Sequence, residues 1–165
     1  MAPPFRLGLI GAGRMGRTHL RALAGSPRVA VTAIAEVSEQ VLDRSDIGLC
    51  LETGHMMLGG GDPVALLRNW AERVNHVHLK DASLSVRDGI KADQAQATEI
   101  WTREAFCALG HGDLDVDAVL DGLRGVSFGG WLVVEQDILP RSAERFARAA
   151  QEQRLNRAFL AARGL

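Results

Sequence analysis

Cysteine is scarce: Cys50 and Cys107 are the only two in 165 residues. They are too few and too far apart for a disulfide scaffold or a zinc cluster, and they suit a reducing cytoplasm. Neither sign of charge is in excess. The 19 Lys+Arg oppose 20 Asp+Glu, and the pI is near 6.5, which argues against a nucleic-acid-coating surface or an anionic-membrane binder. No apolar run approaches the ~18 residues of a membrane helix. The opening Met-Ala-Pro-Pro-Phe-Arg lacks a basic stretch followed by an apolar block, so no secretory signal is expected. What is present is a 47% hydrophobic composition, enough for the core of an ordinary domain. These features predict a soluble cytoplasmic protein with neither nucleic acid nor membrane as partner.

Strands and helices alternate in the pattern. Phe5 to Ile10 is a short apolar run ending in glycines, and Val29 to Ala35 is β-branched. Between them Met15, His19, Leu20 and Leu23 keep helical spacing, with Gly25 as a left-handed stop. A short helix through Val37, Val41 and Leu42 precedes a third strand at 47–51. Asp62-Pro63 starts a helix with its buried face on Val64, Leu67, Trp70 and Ala71. Val74 to Leu79 is the fourth strand. A polar stretch then carries a helix with Ile100 and Trp101, and a glycine turn spans 110–113. Val116, Val119, Leu120 and Leu123 mark another helix, and Trp131 to Glu135 a fifth strand. The last helix runs from Pro140 through Phe146, Ala150 and Phe159 to Gly164. This order predicts an α/β fold: one parallel sheet of about five strands with alternating helices.

Gly11-Ala-Gly13-Arg-Met-Gly16 follows a strand and opens a helix, and Glu36 lies 20 residues past Gly16 at the next strand tip. Glycines there allow a tight turn, close approach of backbone to a pyrophosphate and helix–strand packing, while the carboxylate suits a ribose hydroxyl pair. The stretch from Leu7 to Leu23 resembles the opening of the glucose-fructose oxidoreductase and inositol dehydrogenase family. The resemblance implies a Rossmann-like βαβ unit over 1–36 that binds NAD(P) through Gly11, Gly13, Gly16 and Glu36. It ends near residue 36, and the family's Glu-Lys-Pro motif and its catalytic lysine and histidine are absent.

A second constellation sits at strand ends: Glu52 and His55 after the third strand, His76, His78, Lys80 and Asp81 around the fourth, and Glu135 and Asp137 at the fifth. Parallel strands bring their C-termini to one side, where α/β proteins place ligand sites. Alternation puts His76, His78 and Lys80 on one face. An imidazole with several carboxylates suits a divalent ion such as Mn, Mg or Co. His76, one layer deeper, reads as a hydrogen-bonded core histidine, His111 as solvated, and Lys80 and Asp81 as partners of each other.

From about Val41 to Leu165 the chain resembles the C-terminal half of the sugar phosphate isomerase/epimerase family, xylose isomerase-like TIM barrels that include the inosose dehydratases. The stretches 46–55, 59–64, 74–81, 110–115 and 130–137 carry the likeness, in order and correctly spaced. The resemblance implies a partial TIM barrel over 37–165 with Glu52, His78 and Glu135 as metal ligands. His55 would contact substrate hydroxyls, and Glu135 would also be the acid/base. The implied reaction is metal-dependent proton transfer next to the carbonyl of a sugar or cyclitol. Three departures stand out. Position 52 is Glu where the family has Asp, and position 111 is His where Glu is common. At 165 residues the chain is also shorter than the ~250 of a complete (β/α)8 barrel, so the first barrel half is missing.

The sequence thus reads as a Rossmann-like start joined to half a barrel, forming one continuous sheet. Glu36 stands where it can replace the missing acidic ligand, and an open sheet edge suits a homodimer. The alternatives are an NAD(P)-dependent sugar or inositol oxidoreductase fragment and an inactive chimeric or truncated product.

Overall fold

A computed structural model describes residues 5–10, 14–35, 48–139 and 141–165, with side-chain surroundings for 18–29, 48–139 and 141–165. The chain divides into two compact units, 1–47 and 48–165.

In the first unit β1 (Phe5–Ile10) and β2 (Val29–Ala35) pair in parallel across α1 (Arg14–Leu23). Leu20 and Leu23 are half-buried, whereas His19, expected on the same apolar face, is exposed. Gly25 ends the helix turn at φ +82°, a conformation glycine adopts without steric cost. The expected helix through Val37, Val41 and Leu42 lies outside the described residues.

The second unit is built on three parallel strands in the order β3 (Leu49–Glu52), β4 (Val74–Leu79), β7 (Trp131–Val134). Two-residue strands β5 (Asp81–Ala82) and β6 (Phe106–Cys107) pair antiparallel. The described strands therefore form separate small sheets instead of one continuous parallel sheet of five. Apolar runs reveal strands, but pairing depends on register, and here β1 pairs with β2 while β3 pairs with β4.

Pleating divides β4 cleanly. Val77 and Leu79 are fully buried, with Leu51, Leu67, Val119, Leu120 and Leu123 in the same cluster, while His76 and His78 face the other way and are half-buried. The buried face is covered by α3 (Pro63–Trp70) and α6 (Val116–Gly125), which pack on each other. Asp62 starts α3 as its sequence suggests: Oδ1 accepts from the Val64 and Ala65 N–H groups at 2.9 and 3.0 Å, with Pro63 at the first helical position. Asp115 caps α6 through the Ala118 N–H at 2.9 Å.

Two helices escape the hydrophobic pattern: α2 (Thr53–Leu58), directly after β3, and α4 (Leu84–Ala92), capped by Ser83. The helix at Ile100 and Trp101 is a single turn, α5 (Glu99–Thr102). The final helix, α7 (Ala143–Ala161), buries Ala149, Asn156 and Leu160, while Phe146 and Ala150 face solvent. Its phase is fixed by a polar anchor. Asn156 Oδ1 accepts from the Leu109 N–H at 2.7 Å, a buried contact that hydrophobic spacing does not register. Among the described residues no helix is long and apolar enough to cross a membrane.

Candidate functional site

Register lays out one face of the sheet as a grid. Cys50 pairs with His76 and Glu52 with His78; His76 pairs with Trp131 and His78 with Val133. Paired residues of parallel strands share a face, so these side chains lie opposite the hydrophobic core. Glu135 follows β7, its N–H donating to the Leu79 carbonyl at 3.2 Å.

At the C-terminal rim the side chains converge on Lys80. Its side chain is 2% exposed, and Nζ lies 2.9 Å from Glu135 Oε2, 3.0 Å from Asp137 Oδ2 and 3.5 Å from Glu52 Oε1. It also sits 5.0 Å over the Phe106 ring. Burial alone would lower the lysine's proton affinity, but the Glu135 and Asp137 acceptors and the Glu52 charge hold its pKa above the ordinary value. Lys80 therefore carries its charge at neutral pH.

Glu52 has a double role. Burial pushes its carboxyl up, yet the His55 imidazole, the Lys80 charge and the His55 N–H hold it below the usual carboxylate value. It caps α2 through the His55 N–H at 2.6 Å and also contacts His55 Nδ1. Oε1 is buried and makes no hydrogen bond, facing only the more distant Lys80 ammonium. His55 Nε2 lies 3.7 Å from Asp137 Oδ2, and Trp101 Nε1 donates to the same oxygen at 3.4 Å. His78 Nδ1 is 3.3 Å from Glu135 Oε1.

Local sequence explains how the rim is held. Thr53, fully buried, accepts from the Lys80 N–H at 2.9 Å and donates to the Lys80 carbonyl at 2.7 Å, tying α2 to the end of β4. A Cβ on Gly54 would lie 3.0 Å from Lys80 Cγ, so glycine leaves room for the lysine stem. Asp81 does not pair with Lys80. Its fully buried carboxylate accepts from Ala82 and Leu114 N–H through Oδ1 (2.8 and 3.0 Å) and from Gly110 and Gly112 N–H through Oδ2 (2.9 and 3.0 Å). Alternation sends neighbouring side chains to opposite sides, and the glycine turn supplies the amides. His111 in that turn is exposed, as expected.

Deeper on the face, ligand atoms of Cys50, His76 and His78 lie within 4.8 Å of one another. His76 is half-buried, not a core histidine, with its ring edge-on to His78 at 5.0 Å. Burial, then the carboxylates of Glu52 and Glu135, raise the Cys50 thiol pKa, and burial pushes Cys107 up to about 12. A concavity of about 810 Å³ lies elsewhere, between α3 and α6 beside Trp70 and Asp121.

Glu52, His55, His78 and Glu135 thus meet on one rim. Gly11, Gly13 and Glu36 lie outside the described residues, and Gly16 lies within α1. Lys80 and Asp137, placed in the strand-end constellation by the sequence but given no ligand or catalytic role there, belong to the rim. Their signal was present: Lys80 continues the alternation of His76 and His78, and Asp137 stands two residues after Glu135.

The family model described as xylose isomerase-like TIM barrel matches residues 19–158. An inosose dehydratase of Bacillus thuringiensis is 31% identical over 118 residues, covering 72% of this chain and 40% of the relative. One from Geobacillus kaustophilus is 31% identical over 127 residues, covering 74% and 41%. The chain therefore spans about two fifths of the length of these relatives. A solved structure, the IOLI protein with a binding zinc atom, is 17% identical with a TM-score of 0.49, covering 93% of this chain and 60% of its own.

Proposed function

This chain belongs to the xylose isomerase-like TIM barrel family, and on that premise we propose that it moves a proton next to the carbonyl of a sugar or cyclitol. The observation that carries this reading is the convergence of Glu52, Glu135 and Asp137 on Lys80, with His78 against Glu135. The residues fit a divalent ion. Glu52 Oε1 is a buried acceptor without a hydrogen bond, and the 3.3 Å between His78 Nδ1 and Glu135 Oε1 is close to the spacing of two ligands on one ion with bonds of ~2.0–2.2 Å.

In this reading Glu52, His78 and Glu135 hold the ion. Once bound it supplies Lewis-acid polarisation of a carbonyl oxygen. Glu135 takes the proton from the adjacent carbon and returns it. Lys80 holds the Glu135 and Asp137 carboxylates in place. His55, half-covered by Phe106 and oriented by Glu52, offers Nε2 to a substrate hydroxyl. The inosose dehydratase relatives favour a polyhydroxy ketone as substrate.

The test is solvent exchange: the Mn²⁺-loaded chain is incubated in D₂O with ketose or inosose candidates, and deuterium beside the carbonyl is followed by NMR. Exchange that is lost in Glu135→Gln supports the reading. No exchange, or exchange indifferent to Glu135→Gln, overturns it.

A further inference from the structure

We propose that Cys50, His76 and His78 form a second metal-ligand set one layer below the rim, selective for a zinc-type ion over Mg²⁺ or Mn²⁺. The placement follows from the sheet. Cys50 and His76 are register partners on adjacent parallel strands, and His76 and His78 are two apart on β4, so all three project from the same face. Their ligand atoms already lie within 4.8 Å of one another. A tetrahedral zinc ion with Zn–N of ~2.0–2.1 Å and Zn–S of ~2.3 Å sets its ligand atoms about 3.3–3.6 Å apart. Closing that difference takes about an ångström of side-chain rotation. Cys50 is exposed and both histidines are half-buried, so the rotation displaces no core packing.

The chemistry differs from that of the rim. A sulfur and two imidazole nitrogens select zinc-like ions, whereas carboxylates suit Mg²⁺ and Mn²⁺. Sulfur coordination exchanges the Cys50 thiol proton for the metal, and that proton leaves to solvent. Three protein ligands leave a fourth position open. His78 belongs to both sets, so a zinc-type ion bound here competes with a metal at the rim.

Co²⁺ reports the difference directly, because thiolate ligation gives a near-ultraviolet sulfur-to-cobalt charge-transfer band that carboxylate ligation does not. The whole chain, stripped of metal with EDTA, is titrated with Co²⁺ and then challenged with Zn²⁺ and Mg²⁺. The band is expected to appear, to be displaced by Zn²⁺ and to persist in Mg²⁺. Cys50→Ser abolishes it, and His76→Ala weakens Co²⁺ binding at least ~10-fold. His76→Gln serves as the milder variant should His76→Ala fail to fold. Absence of the band in the saturated chain, or its survival in Cys50→Ser, overturns the proposal. Neither result touches the rim reading, which fails on deuterium exchange and its dependence on Glu135.

Discussion

Lys80 Nζ and Glu135 Oε2 stand 2.9 Å apart at the strand ends, the ammonium almost fully buried and the carboxylate partly open to solvent. That pair joins a buried cation to the group proposed to move the proton. It also places a fixed positive charge among three carboxylates. Replacing Lys80 with Met leaves Glu52, Glu135 and Asp137 to repel one another. A loss of about 2–3 kcal/mol is expected, below the ~3–5 kcal/mol of a fully buried pair because the carboxylates are partly solvated. Urea unfolding checks it, and Mn²⁺ should restore part of the loss by taking the place of the ammonium. A Lys80→Met chain as stable as the parent contradicts this account of the rim.

The pH dependence has a worked sign. Glu52 has a folded pKa below its ordinary 4.5, so its pairing stabilises the fold fully above 4.5 and is lost as pH falls through the lowered value. Lys80 has a folded pKa above its ordinary 10.5, so its contribution is fully present below 10.5 and lost as pH rises through the raised value. The contribution of this pair to the thermal midpoint should therefore be flat between these limits. The acid-side fall should be shallower in Glu52→Gln than in the parent, and equal slopes would remove Glu52 from the explanation.

Asp81 is a structural anion, and its removal tests the turn rather than the chemistry. Asp81→Ala leaves the N–H groups of Ala82, Gly110, Gly112 and Leu114 without their acceptor, at a cost of about 3 kcal/mol or more. Gly112→Ala attacks the same joint from the other side, since its Cβ would lie 2.3 Å from Asp81 Oδ1. Both should lower the urea midpoint, and amide exchange should quicken across 110–114. Unchanged protection in Asp81→Ala would contradict the assignment.

Much of this was legible in the residues. Both strands of the first unit and β4 fall where the apolar runs put them, and the Asp62-Pro63 helix start is realised in its hydrogen bonds. Glu52, His55, His78 and Glu135 gather because parallel strands share a C-terminal side. What escaped was decided by polar contacts between distant segments. Lys80 is drawn to Glu135 and Asp137 across β7, Asp81 to the amides of a turn some thirty residues on, and α7 takes its phase from Asn156. Hydrophobic periodicity carries no information about any of these. Strand pairing was equally hidden, as the separate small sheets show. A count of cysteines likewise says nothing of Cys50, whose neighbours on the sheet are histidines.

In the three-stranded sheet β3 and β7 are the edge strands, and Trp131 on β7 is 75% exposed. Pairing of a second copy along such an edge predicts a dimer by light scattering that weakens in Trp131→Glu. A monomer across the accessible concentration range contradicts it. If the Gly11–Gly16 motif holds a dinucleotide, NADH fluorescence rises on adding the chain and falls back in Gly13→Val. Unchanged emission removes the dinucleotide reading.

The rim account is tested most directly by calorimetric titration of Mn²⁺, an ion that prefers oxygen ligands, into the parent chain, Glu52→Gln, Glu135→Gln and Cys50→Ser. The account predicts one saturable site, weakened at least ~10-fold by either carboxylate substitution and unaltered by Cys50→Ser. No binding heat in the parent, or equal affinity in Glu135→Gln, would contradict it.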